Sequence, residues 1–75
     1  MTGTEWITAF AERLGVPAPD DETIETLLEL ASVAAHSSER LVAPLACHLV
    51  GVAGITPAEA LATARALAGT AADDG

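Results

Sequence analysis

The sequence predicts an all-α fold, a compact bundle of four short helices in a single domain over residues 1–75. Three observations carry this. Half of the residues are apolar, yet Trp6 and Phe10 are the only aromatics, so alanine, leucine and valine must supply the core. Alanine and leucine favour helix, and no segment shows the apolar/polar alternation of a strand. Proline, glycine and capping residues then divide the chain into four segments of helical length.

The first helix is expected over about Thr4 to Leu14. Trp6, Phe10 and Leu14 fall four apart with Ile7 beside them, which makes one apolar stripe. Glu5 in the first turn and Arg13 in the last suit the helix dipole, and Gly15 is a natural stop. Val16-Pro17-Ala18-Pro19 forms a stiff connector, because each proline drives its predecessor out of the helical region.

The second helix opens at Asp20-Asp21, either of which can cap it. Ile24, Leu27, Leu28, Ala31 and Ala35 read as its apolar stripe, with Glu22, Glu25 and Glu29 as an acidic ridge opposite. It is expected to end near His36, before Ser37-Ser38. The segment 39–42 reads equally as a loop or an extra turn.

Pro44 suits the first turn of a third helix that continues to about Gly51 or Ala53. This helix is apolar nearly all round, the pattern of a buried spine or of a surface that faces a partner. Gly51, Ala53 and Gly54 would let neighbouring helices approach closely. Thr56-Pro57-Ala58-Glu59 then places a Thr cap, a Pro at the first position and a Glu at the third, which is a capping box. Leu61, Ala64, Leu67 and Ala68 form the stripe of this fourth helix, with Gly69 as its expected end and residues 70–75 as a frayed acidic tail.

Composition excludes several functions. A net charge of −8, with three arginines and no lysine, is unfit for a phosphate backbone or an anionic membrane. Nucleic acid and membrane are therefore not expected partners. The fifteen-residue apolar run from Leu41 to Ile55 is too short and too broken to span a bilayer, and the first ten residues lack the pattern of a signal peptide. A cytoplasmic location with a reduced Cys47 is expected. A lone cysteine forms no internal disulfide, no Cys/His spacing is that of a zinc site, and no phosphate loop is present, so no cofactor or metal is expected.

The residues able to carry chemistry concentrate between Val33 and Gly54. His36 can act as a base or ligand, or cap the second helix at its carbonyl end. Its neighbours Ser37 and Ser38 do not make a triad, since adjacent residues rarely meet that geometry and no third member is evident. Cys47 and His48 point about 100° apart on a helix and cannot easily share one metal. A metal site from His36, Glu39 and His48 would need the loop to fold back. For the pair Glu39-Arg40, either Arg40 bridges to a glutamate of the second helix or Glu39 caps the third, or the pair stands as an interaction epitope with Arg40 as a hot spot. An acidic four-helix domain also invites comparison with acyl carrier proteins, but Ser37 and Ser38 lack the flanking Asp and Leu of the carrier motif, and the helix after them is apolar.

Ala35-His36-x-x-Glu39-Arg40, followed by Ala43-Pro44-Leu45 and Leu49-Val50-Gly51, resembles a small actinobacterial helical domain family of unknown function. Glu5-Trp6 with Ala11-x-x-Leu14-Gly15-Val16, and Leu27-Leu28-x-Leu30-Ala31, fit the same pattern. The resemblance covers about residues 4–68. Similar domains occur alone, appended to molybdenum-cofactor guanylyltransferase-like nucleotidyltransferases, or near formate dehydrogenase and its maturation factors. The resemblance therefore implies an accessory role in molybdenum-cofactor assembly or insertion, and supplies no catalytic residue. His36, Glu39, Arg40 and Pro44 match its motif and are the interaction candidates. The expected protein is a non-enzymatic interaction module. Its partner would be a molybdenum-cofactor nucleotidyltransferase, or a second copy of itself in a structural homo-oligomer.

Overall fold

The structure, a computed structural model, describes the backbone over residues 1–74 and side chains over residues 1–69. It is an all-α bundle of four helices: α1 (Gly3–Leu14), α2 (Asp21–Ser37), α3 (Val42–Ala53) and α4 (Pro57–Asp74). No strand occurs among the described residues.

Each boundary has a local cause. Thr2 and Glu5 form a capping box at α1: the Glu5 N–H donates to Thr2 Oγ1 at 3.1 Å and the Thr2 N–H to Glu5 Oε1 at 2.8 Å. These bonds, from the Thr2 backbone N–H first and its side chain second, hold the Glu5 carboxyl below its ordinary pKa. Gly15, at φ 74°, ends the helix; its N–H bonds to the Glu12 carbonyl and that of Val16 to the Ala11 carbonyl, the paired pattern of a Schellman motif. Asp20 caps α2 by accepting the Thr23 N–H at 2.8 Å, and hydrogen bonds from Thr23, side chain first, lower its carboxyl pKa. Gly54, at φ 69°, closes α3 in the same left-handed conformation.

The box expected at the start of α4 forms as read. Glu59 N–H donates to Thr56 Oγ1 at 3.1 Å, and Glu59 Oε1 accepts from the Thr56 N–H at 3.2 Å and from its hydroxyl at 2.9 Å. Thr56→Ala should therefore lower stability by about 1 kcal/mol. Chemical denaturation is the check, and a loss below a few tenths of a kcal/mol would show that Glu59 caps the helix alone.

α2 is the centre of the packing. Both α3 and α4 lie along it, whereas α1 packs extensively on none of the others. The core is small: Leu30, Ala60 and Leu61 are buried, with Leu27, Val33, Cys47, Val50 and Ala64 packed against them. A single surface ion pair ties α4 to α2 among the described residues, Arg65 Nη2 to Glu29 Oε2 at 2.8 Å. With both groups exposed, it is worth at most about 1 kcal/mol.

Four expectations are corrected. α3 is no buried spine, since none of its residues is buried. α2 takes that place because it alone is flanked by two helices. Its inward face turns accordingly, so that Leu30 is 2% exposed while Leu28 points to solvent. The glycines are not close-approach sites: a Cβ placed on Gly51 or Gly54 meets nothing within 4 Å. α4 does not stop at Gly69, which stays outside the left-handed region that ends a helix at Gly15 and Gly54; the helix continues to Asp74. The expected frayed tail, residues 70–75, lies outside the described side chains, and Gly75 lies outside the described residues altogether.

Candidate functional site

The α2–α3 corner holds the four interaction candidates, and it is built by backbone geometry. Ser38 leaves the helix at φ −138°, ψ −96°. Two tight turns follow, with the Val42 N–H bonded to the Glu39 carbonyl at 3.1 Å and the Ala43 N–H to the Arg40 carbonyl at 3.2 Å. The ambiguous segment 39–42 is thus a turn that leads straight into α3, and Pro44 sits in the first turn of that helix as expected.

His36, Glu39, Arg40 and Pro44 are all exposed on this corner. The imidazole of His36 is engaged locally: Nδ1 donates to the Ser32 carbonyl, one turn back, at 2.7 Å, with the Ser32 hydroxyl 3.1 Å away. This bond fixes the ring against its own helix, so one of the two roles open to His36 in sequence, a local structural one, has a direct partner. Arg40 does not take the role of tying α2 by a salt bridge; Arg65 on α4 does that through Glu29. Among the described residues no ion pair or hydrogen bond engages the Arg40 side chain. Beside it, Leu41 is 74% exposed. No group of three or more His, Cys, Asp or Glu residues is placed to hold a metal ion among the described residues. Cys47 lies half-buried against the core and His48 is exposed, so the two point apart as their spacing implies. Ser37 closes α2 and Ser38 follows it, so neither opens a helix as a carrier serine would.

The corner adjoins a larger feature that the candidate residues do not reveal. A groove of about 550 Å³ runs between α3 and α4 with α2 as its floor. Leu30 and Val33 lie beneath it, Val42, Leu45 and Leu49 form one wall, and Leu67 stands on the other. Ser37 and Ser38, from the corner, close one end. Its only advance signal is the all-round apolar character of the third helix, read as facing either a core or a partner. The exposure of α3 removes the first of those readings.

A second unpartnered face lies on α1. Trp6 and Phe10 stack at 5.1 Å between ring centroids, one turn apart, and both remain about half exposed, with Ile7 and Leu14 along the same stripe. The total accessible surface is 5660 Å². A close-packed monomer of this mass would expose roughly 4,300 Å².

The chain belongs to the family described as Domain of unknown function (DUF6457), whose model matches residues 1–75. No curated protein and no solved structure matches the chain. No helix among the described residues is long and apolar enough to cross a membrane.

Proposed function

We propose that this domain is a non-enzymatic interaction module, and that it docks a protein partner through the α2–α3 corner. The observation that carries the reading is Arg40. It is one of three cations in a chain of net charge −8, it stands exposed on a hydrogen-bonded turn, and no described acid neutralises it. A guanidinium flanked by an exposed leucine is a common form of interface anchor, in which the charge pairs with a carboxylate and the apolar neighbour excludes water. Leu41 and Pro44 supply the apolar part. His36, held by Ser32, and Glu39 frame it.

The partner class comes from the sequence motif. Ala35-His36-x-x-Glu39-Arg40 with Ala43-Pro44-Leu45 resembles domains found with molybdenum-cofactor nucleotidyltransferases and formate dehydrogenase maturation factors. The reading is therefore an adaptor in molybdenum-cofactor assembly, acting in the cytoplasm. Titration of the full chain into such a nucleotidyltransferase, followed by calorimetry, tests it. Arg40→Ala should weaken binding by about 2 kcal/mol, roughly thirtyfold in Kd, and leave the far-ultraviolet helical signal unchanged. Equal affinity of the two chains would remove the corner from the interface. No binding by either chain would remove the nucleotidyltransferase as partner.

A further inference from the structure

We propose that the groove between α3 and α4 receives α1 from a second copy of this chain, so that the protein is a reciprocal helix-exchanged dimer. Three helices with α2 between α3 and α4 occupy three corners of a four-helix bundle, and the groove is the fourth. Apart from Ser37 and Ser38 its lining is apolar, which suits the face of an amphipathic helix. The chain contains such a helix without a seat. Trp6, Ile7, Phe10 and Leu14 form one exposed stripe on α1, and that helix packs extensively on no other.

The occupant is a second copy, for two reasons. First, the connector Val16-Pro17-Ala18-Pro19 leaves α1 without an extensive helix contact in its own chain, with Ala11 its single buried residue. Its prolines fix φ and keep their predecessors extended, which opposes the reversal needed to lay α1 on its own α2. A short hinge that opposes folding back invites exchange between copies. Second, the area fits. The accessible surface of 5660 Å² exceeds that of a close-packed monomer by about 1,400 Å², whereas a standard interface covers about 800 Å² per partner. In a reciprocal exchange each chain covers two faces, its own α1 stripe and its own groove, and that doubling accounts for the larger figure. The radius of gyration, 13.5 Å, is also larger than the roughly 11 Å of a close-packed chain of this length.

This goes beyond the adaptor reading and does not depend on it, because Arg40 and Leu41 do not line the groove. The full 75-residue chain is to be followed by sedimentation over a wide concentration range, with the emission of Trp6, the sole tryptophan, recorded in parallel. The expected result is a dimer, with Trp6 emission moving to shorter wavelength in step with the mass. Phe10→Glu and Leu45→Glu alter the helix and the groove separately. Each alone should weaken dimerisation by roughly tenfold or more, since each would bury an unpaired carboxylate. Mixed in equal amounts they should form a heterodimer, because the intact α1 of one fits the intact groove of the other. Circular dichroism checks folding, and Leu49→Gln replaces Leu45→Glu if the latter does not fold. A chain that stays monomeric at every concentration overturns the proposal, as does a dimer that Phe10→Glu leaves intact. A mixture that fails to associate overturns the reciprocal geometry, since a symmetric contact between like faces cannot be rescued in that way.

Discussion

Leu30→Ala is expected to cost about 2–5 kcal/mol, measured by urea denaturation at fixed chain concentration. The side chain is 2% exposed and sits where α2, α3 and α4 meet. Its removal takes away its own transfer energy and leaves a cavity that Ala60, too small to lean in, cannot fill. A domain of this size has a total stability of only about 4–11 kcal/mol. The variant should therefore be largely unfolded at warm temperature or, at the least, show a much lower denaturant midpoint. Leu28→Ala, two residues away on the solvent side of the same helix, should change stability by no more than about 0.5 kcal/mol. Equal losses at the two positions would mean that α2 is rotated relative to the face described above, and the core assignment would fall with it.

The second expected result is a pair of opposite signs on α3. Gly51→Ala should stabilise the domain by roughly 0.5–1 kcal/mol, and Gly54→Ala should destabilise it by roughly 1–2 kcal/mol. Both positions have open space around an added methyl, so sterics do not separate them. Backbone conformation does. Gly51 is inside the helix, where alanine loses less chain entropy on folding. Gly54 holds φ 69°, where a Cβ crowds the following carbonyl, and it closes the helix through its bond to the Val50 carbonyl. Thermal unfolding of the two variants beside the parent chain reads both. A loss at Gly51 would restore the sequence-based view that this glycine lets another surface approach, and in a dimer that surface would belong to the second copy.

Much of the fold was legible without coordinates, because helix boundaries are decided within a few residues of chain. The Thr56-Pro57-Ala58-Glu59 box, the Asp20 cap and the Gly15 stop all follow from which side chain or which φ can satisfy the free backbone groups at a helix end. The Thr2–Glu5 box obeys the same rule and starts α1 at Gly3, just ahead of the apolar stripe that begins at Trp6. Gly69 shows the limit of the rule. Glycine permits a left-handed stop, but the chain stops only where the backbone takes that turn, and at Gly69 it continues as helix.

The candidate site was legible only as a list of residues. His36, Glu39, Arg40 and Pro44 do share one exposed corner, since a short turn between two helices leaves little freedom to place them elsewhere. Their partners were not readable. His36 could face solvent or its own backbone, and the 2.7 Å bond to Ser32 reflects the rotamer the packed helix allows. The sequence offered Arg40 as the partner of an acid on α2, and the crossing of α4 over α2 gave that pairing to Arg65 instead.

By itself the sequence determined that this chain is helical, how many helices it has, where most of them begin and end, and that it carries a strong negative charge. Those properties are local or summed: propensity, capping and net charge need no knowledge of which helix meets which. The tertiary structure decided that α2, not the more apolar α3, lies at the centre, and that the apolar stripe of α1 and the groove between α3 and α4 both remain uncovered. A periodic pattern specifies which face of a helix must avoid water, but not which surface will cover it. That choice follows from connector length and stiffness and from how many helices can pack around one axis. Here a proline-containing connector and a bundle centred on α2 leave two apolar faces uncovered.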